Sequence, residues 1–230
     1  MRAHLGLAAA LPCAPLLLWQ GRRVRRDTPK LPEAEGPRDG IAGADRPGRP
    51  LRLLIVGDSS AAGVGARAQD EALAGRLVAR LAPRLARPLA WRLVARTGAT
   101  TRDALALIDA EPPDRFDVAG VALGVNQVTA VRPVPRWQPD VSRGHGPMHR
   151  FPALPQPRRG VMGLHARALD AALGRWCAAR PSGALPRATH VPLPAMRDPA
   201  LVASDGFHPG PGAYAIWAEA LAPHVAGRHR

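Results

Sequence analysis

Leu51-Arg52-Leu53-Leu54-Ile55-Val56-Gly57-Asp58-Ser59-Ser60-Ala61-Ala62-Gly63-Val64-Gly65 is the stretch that decides the fold. Residues 53–56 are an unbroken aliphatic run that stops at Gly57-Asp58. A run of that kind reads as a strand buried on both faces. Small residues follow, and residues 66–81 have helical spacing. Strand, tight turn and helix in that order read as one unit of a parallel α/β sheet. The turn sets Ser59 at the carboxyl edge of the sheet. A helix beginning close behind it would supply unused backbone N–H groups and the positive end of its dipole.

The rhythm repeats downstream. Residues 88–95 read as a second strand, which ends at Arg96-Thr97-Gly98-Ala99-Thr100-Thr101. A helix over about 101–110 then opens on a threonine cap. Residues 116–123, F-D-V-A-G-V-A-L, read as a third strand that ends at Gly124-Val125-Asn126-Gln127. Residues 131–160 break the pattern, being dense in proline with no helix and no strand. The next helix spans about 161–179, with an apolar stripe at Leu164, Ala168, Leu169, Ala172, Leu173 and Trp176. Residues 189–193 read as another short strand, and a final helix runs over about 210–225.

Upstream, residues 5–19 form an apolar run interrupted by Pro12 and Pro15 and followed by Gly21-Arg22-Arg23. It is short for a membrane span. The basic flank favours an interfacial anchor, with a signal-peptide core and an ordinary N-terminus as open alternatives. Location therefore stays open between cytoplasmic, membrane-associated and secreted. Residues 27–50, rich in proline, glycine and charge, read as a linker or a surface loop. The expected organisation is a leader over 1–26, a linker over 27–50 and one α/β domain over 51–230. A hydrophobic fraction of 46% is ample for its core.

The net charge of +14 invites a nucleic-acid reading. Almost all of it is arginine spread along the chain, Lys30 being the one lysine, and no aromatic-interleaved basic motif appears. No nucleic-acid partner is expected. The compact cluster Arg22, Arg23, Arg25 and Arg26 suits an anionic membrane surface instead. Cys13 and Cys177 are far apart, which argues against a structural disulfide. His145 and His149 have i,i+4 spacing, but prolines surround them and Asp140 is the one carboxylate near in sequence, so no metal site is assigned.

Ser59 alone is weak evidence, since a serine after a strand often caps a helix. Its possible partners carry more weight. Asp205 and His208 lie three apart in Ser204-Asp205-Gly206-Phe207-His208-Pro209, just before the last helix. That spacing lets the carboxylate hydrogen-bond the imidazole and fix its tautomer, leaving the second ring nitrogen for a serine. Gly98 ends the second strand, where it offers an unobstructed N–H, and Asn126 ends the third with a side-chain amide. With the Ser59 N–H, these make three donors for an oxyanion. In a parallel sheet all these turns fall on one edge.

Gly57-Asp58-Ser59 with Gly63, Gly98 in R-T-G-A-T-T, Asn126 in G-V-N-Q, and Asp205-x-x-His208 resemble, in order and rough spacing, the four blocks of the SGNH (GDSL-type) serine hydrolases. The resemblance covers about residues 51–127 and 160–222. It implies a flavodoxin-like three-layer α/β/α sandwich and hydrolysis of carboxylic esters, including lipid esters, through an acyl-enzyme. It implies Ser59 as nucleophile, His208 as general base and acid, and Asp205 as the orienting carboxylate. Ser59 N–H, Gly98 and Asn126 become the oxyanion hole, and no metal or organic cofactor is required. Ser60 is the bland neighbour of the nucleophile.

The chain departs from the family pattern twice. Gln127 stands where an aspartate usually follows the asparagine. Residues 131–160 stand where the family places a helix and a strand, so the sheet is expected to be short of one helix–strand unit. A displaced Asp205–His208 loop would then leave a catalytically impaired homologue acting as a membrane-associated binding or scaffold protein, the alternative to the esterase.

Overall fold

The computed structural model describes residues 29–110, 116–123, 148–150, 161–179, 189–194, 196 and 198–227. The strands are β1 (Asp39–Ala42), β2 (Leu51–Gly57), β3 (Leu89–Ala95), β4 (Val118–Ala122) and β5 (Met148–Arg150). The helices are α1 (Leu73–Leu81), α2 (Thr101–Asp109), α3 (Val161–Ala178) and α4 (Pro211–Ala226).

β2 is the centre of the molecule because its side chains are apolar on both faces. Leu53 and Ile55 enter a core shared with Leu73, Leu77 and Leu81 of α1 and with Tyr214, Trp217 and Leu221 of α4. Leu54 and Val56 point the other way, into a second cluster with Ala104 of α2 and Ala119 and Leu123. Alternation along one strand thus feeds two cores, and the result is three layers, helix on sheet on helix. Each fully buried leucine or isoleucine contributes about 1.5–3 kcal/mol.

The strand order is β1-β3-β2-β4-β5. β3 and β4 pair parallel to β2 from either side, and β5 pairs parallel to β4. The first crossover leads from β2 to β3 on one side, and the next returns past β2 to β4 on the other. This reversal of strand order opens a crevice at the carboxyl ends, where ligands bind in open α/β sheets.

Several expectations need correction. The sheet is mixed, because β1 runs antiparallel to β3, with Asp39 opposite Arg92 and Ala42 opposite Leu89. β1 lies in the stretch read as a linker or a surface loop. That stretch is tied down elsewhere too: Ala34 is buried, its N–H donates to the Ala62 carbonyl at 3.2 Å, and the Glu35 N–H donates to Arg67 at 3.1 Å. Residues 131–160 were expected to hold no strand, yet β5 falls within them and takes the place beside β4. Residues 189–193, expected as a strand, join no sheet. Val191 is buried in the main core, Trp217 Nε1 donates to the Pro194 carbonyl at 3.2 Å, and His190 Nε2 lies 2.9 Å from Asp170 Oδ1. The segment is held by contacts with α3 and α4, not by a neighbouring strand. Among the described residues no helix is long and apolar enough to cross a membrane.

Candidate active site

The chain leaves β2 through Gly57 and enters turns, not a helix. The Ala62 N–H bonds the Asp58 carbonyl at 2.9 Å, Val64 N–H bonds Ser59 at 3.0 Å, and Ala66 N–H bonds Gly63 at 3.0 Å. The helix expected over 66–81 begins only at Leu73, so no helix N-terminus stands behind Ser59. Tertiary contacts override the alanine-rich propensity here. The Gln69 N–H donates to the Glu35 carbonyl at 2.7 Å, and its buried Nε2 donates to the carbonyls of Ala34 at 3.1 Å and Ala62 at 3.2 Å. Asp58 is fully buried, and its Oδ1 accepts from the Ser60 N–H at 3.1 Å and the Ser60 hydroxyl at 2.9 Å. Ser60 is therefore spent on the turn. Ser59 is 7% exposed, and its Oγ lies 3.0 Å from His208 Nε2.

His208 stands on a narrow loop that closes on itself. Val202 bridges Pro209, the Ala203 N–H donates to the His208 carbonyl at 2.8 Å, and the Gly210 N–H donates to Leu201 at 2.7 Å. Asp205 Oδ1 accepts from the Phe207 and His208 N–H groups at 2.9 Å each, the turn chemistry an aspartate supplies. Its Oδ2 lies 2.5 Å from His208 Nδ1. The Asp205 side chain is fully buried, and that of His208 is 16% exposed. Burial pushes the Asp205 pKa up. The bonds from the His208 ring and from the two N–H groups outweigh it, and the carboxyl ends below its ordinary value. Asp205 is thus a buried carboxylate that stays charged and fixes the imidazole.

Two contacts lock the serine loop to the histidine loop. Gly65 has φ +98°, and a Cβ there would come within 2.2 Å of the Pro209 carbonyl oxygen. Only glycine lets the chains approach so closely. The Tyr214 hydroxyl, carried by α4, donates to the Val64 carbonyl at 2.6 Å. Burial, together with the negative charges of Asp58 and Asp205, pushes the phenol well above its ordinary pKa, so Tyr214 remains a neutral donor.

At the end of β3, residues 96–99 form a tight turn. The Arg96 N–H bonds the Gly57 carbonyl at 3.3 Å, and the Ala99 N–H closes on Arg96 at 3.1 Å. Gly98 has φ +80°, the value a type II turn demands at its third position. Because β3 lies beside β2 with Ala95 opposite Gly57, this turn flanks Ser59. Among the described residues, neither the Ser59 N–H nor the Gly98 N–H has a protein acceptor. Just beyond, Thr100 and Asp103 cap α2 reciprocally: Asp103 Oδ2 accepts from the Thr100 N–H and hydroxyl at 2.8 Å each.

Of the residues singled out from sequence, Ser59, Asp205 and His208 come together, and Gly98 stands on the neighbouring strand end. Asn126, Gln127 and His145 lie outside the described residues, as do Cys13 and the basic cluster at 22–26. Asp117 is at the opposite edge of the sheet, where it accepts from Arg49 at 2.8 Å and from the Arg52 N–H at 2.9 Å. Sequence reasoning missed Gly65 and Tyr214, although the G-V-G spacing pointed at a close approach. It also missed Glu33 and Arg38, for which no local signal exists.

The sequence model of the GDSL-like lipase/acylhydrolase family matches residues 55–216. The GDSL-like esterase Rv1075c of Mycobacterium tuberculosis is 28% identical, with 93% of this chain and 76% of that protein covered. The lipase Lip_vut3 from a goat rumen metagenome superposes with a TM-score of 0.64 at 17% identity, covering 78% of this chain and 99% of that one. A lipase/acylhydrolase from Enterococcus faecalis superposes at 0.62 and 17% identity, covering 78% and 97%. At such identities these structures speak to the α/β/α fold alone.

Proposed function

The chain belongs to the GDSL-like lipase/acylhydrolase family, and from that membership we propose that it hydrolyses carboxylic esters through an acyl-enzyme on Ser59. The single observation supporting this reading most is the 3.0 Å separation of Ser59 Oγ and His208 Nε2. A serine hydroxyl becomes an effective nucleophile only when a base takes its proton. His208 accepts that proton as Ser59 Oγ bonds to the ester carbonyl carbon. Asp205 accepts from the Nδ1–H and stabilises the imidazolium that forms. The carbonyl π electrons move onto oxygen, and the oxyanion is received by the Ser59 and Gly98 N–H groups, with the Asn126 amide as a third donor. The C–O bond to the alcohol then breaks, and His208 returns its proton to the departing oxygen. Water repeats the sequence on the acyl-enzyme, releasing the acid and restoring Ser59. No step needs a metal or an organic cofactor.

The impaired-homologue alternative depended on a displaced histidine loop, and the short Ser59–His208 contact supports the hydrolase instead. The substrate class is an ester of a small molecule or lipid. The test is hydrolysis of 4-nitrophenyl acetate, butyrate and octanoate. Activity is expected in the intact protein and lost by at least about 10³-fold in Ser59→Ala and His208→Ala. Equal rates in the intact protein and Ser59→Ala would overturn the proposal.

A further inference from the structure

We propose that Glu33 is a positioning residue for this hydrolysis: its carboxylate clamps the turn that carries Gly98, which makes residues 33–38 part of the catalytic machinery. The proposal rests on the reading of Ser59 and Gly98 given above.

Glu33 Oε1 accepts from both the N–H and the hydroxyl of Thr97, each at 2.7 Å. Its Oε2 accepts from Arg38 Nη2 at 2.5 Å, and Arg38 Nη1 donates to the Ala95 carbonyl at 2.8 Å. The pair therefore grips β3 at its last residue and at the second position of the turn that follows. The turn has little else to hold it on the solvent side. Arg96, Thr97 and Gly98 are exposed, and a Cβ at Gly98 would meet nothing within 4 Å. Packing cannot fix the Gly98 N–H. Hydrogen bonds can.

The chemistry of the clamp suits that task. Bonds to a charged acceptor are stronger than neutral ones. Burial pushes the Glu33 pKa up, but the Thr97 bonds and the Arg38 guanidinium outweigh it and hold the carboxyl below its ordinary value. Glu33 thus stays an acceptor throughout neutral pH. Arg38 offsets its charge, so the clamp sets no net negative charge beside a developing oxyanion. An oxyanion donor contributes in proportion to its preorganisation, since a donor that must reorient during reaction gives back its advantage. By taking up the Thr97 N–H from outside, Glu33 holds the turn in the conformation that leaves the Gly98 N–H for the substrate.

The test uses the full chain, 4-nitrophenyl butyrate, and the variants Glu33→Met, Glu33→Ala and Glu33→Gln beside Ser59→Ala. Methionine keeps the length of the side chain and loses both acceptors, and glutamine keeps the acceptor facing Thr97. Glu33→Met and Glu33→Ala are expected to lower kcat by about 10–100-fold, less than the 10²–10³-fold of outright donor loss. KM should stay within about twofold, and the acid limb of the pH–rate profile should not move, since the Asp205–His208 pair is untouched. Glu33→Gln should recover most of the loss. Methionine and alanine variants that keep kcat within about twofold, whatever their melting temperatures, would overturn the positioning role alone. So would parallel changes in kcat, KM and the acid limb, which report general damage. If Ser59→Ala retains the activity, or the intact chain has none, the Ser59 reading fails first and this role falls with it.

Discussion

Ser59 and Ser60 are adjacent and chemically alike, yet their surroundings give them different tasks. The Ser60 hydroxyl is committed to Asp58, whereas Ser59 Oγ meets His208. Ser60→Ala is expected to cost about 1 kcal/mol of stability and to keep turnover within a few-fold, measured by denaturant unfolding and ester hydrolysis. Asp205→Asn keeps the shape of the loop but removes the charge that, on the proposed mechanism, stabilises the imidazolium. It should lower kcat by about 10³–10⁴-fold with little change in KM. These residues were legible in sequence because a serine at a strand end, a glycine at the next and an Asp-x-x-His before the last helix are local patterns. Glu33 was not legible. Its partner Thr97 lies 64 residues away, and nothing in E-A-E-G-P distinguishes a clamp from a solvated charge.

The helices and loops show where local reading succeeds and where it stops. β2, β3 and β4 were found because each is an apolar run that ends on turn residues. The start of α1 was misplaced because residues 66–72 have good helix formers but are held as turns by the main chain of Ala34 and Glu35. β1 was missed because Asp39 and Gly40 are poor strand formers, and the pairing with β3 alone makes them one. The contact between the serine and histidine loops gives two expectations. Gly65→Ala would drive a Cβ into the Pro209 carbonyl and strain a positive φ. It should cost upwards of about 2 kcal/mol and lower kcat by withdrawing His208, read from melting temperature and turnover together. Tyr214→Phe leaves the buried Val64 carbonyl without its donor. A loss of about 1–3 kcal/mol is expected, with KM unchanged.

For the whole molecule, the mixed sheet means that the residues before Leu51 are structural. A chain beginning at Leu51 would lose β1, the buried Ala34 and the contacts that shape the serine loop. Its melting temperature should fall by more than about 10 °C, with aggregation along the uncovered edge of β3. Acid should act on the whole fold as well. Glu33, Asp103, Asp117 and Asp205 all have native pKa values below their ordinary ones. Such groups stabilise the native state above their unfolded pKa values, about 4, and that contribution is lost as pH falls through the lower native values. Melting temperature should therefore hold from pH 7 to about 5 and drop on further acidification. The locked pair of loops also has a consequence in time. Ser59 and His208 are 149 residues apart, so a ribosome adding about 5–20 residues per second makes the serine roughly 7–30 s before His208. Val64 likewise waits for Tyr214 across 150 residues. On the proposed mechanism the nascent chain is expected to be catalytically silent through that interval. Stalled chains ending before residue 200 should form no acyl-enzyme with a fluorescent ester, whereas released full-length chains acquire the signal as α4 docks.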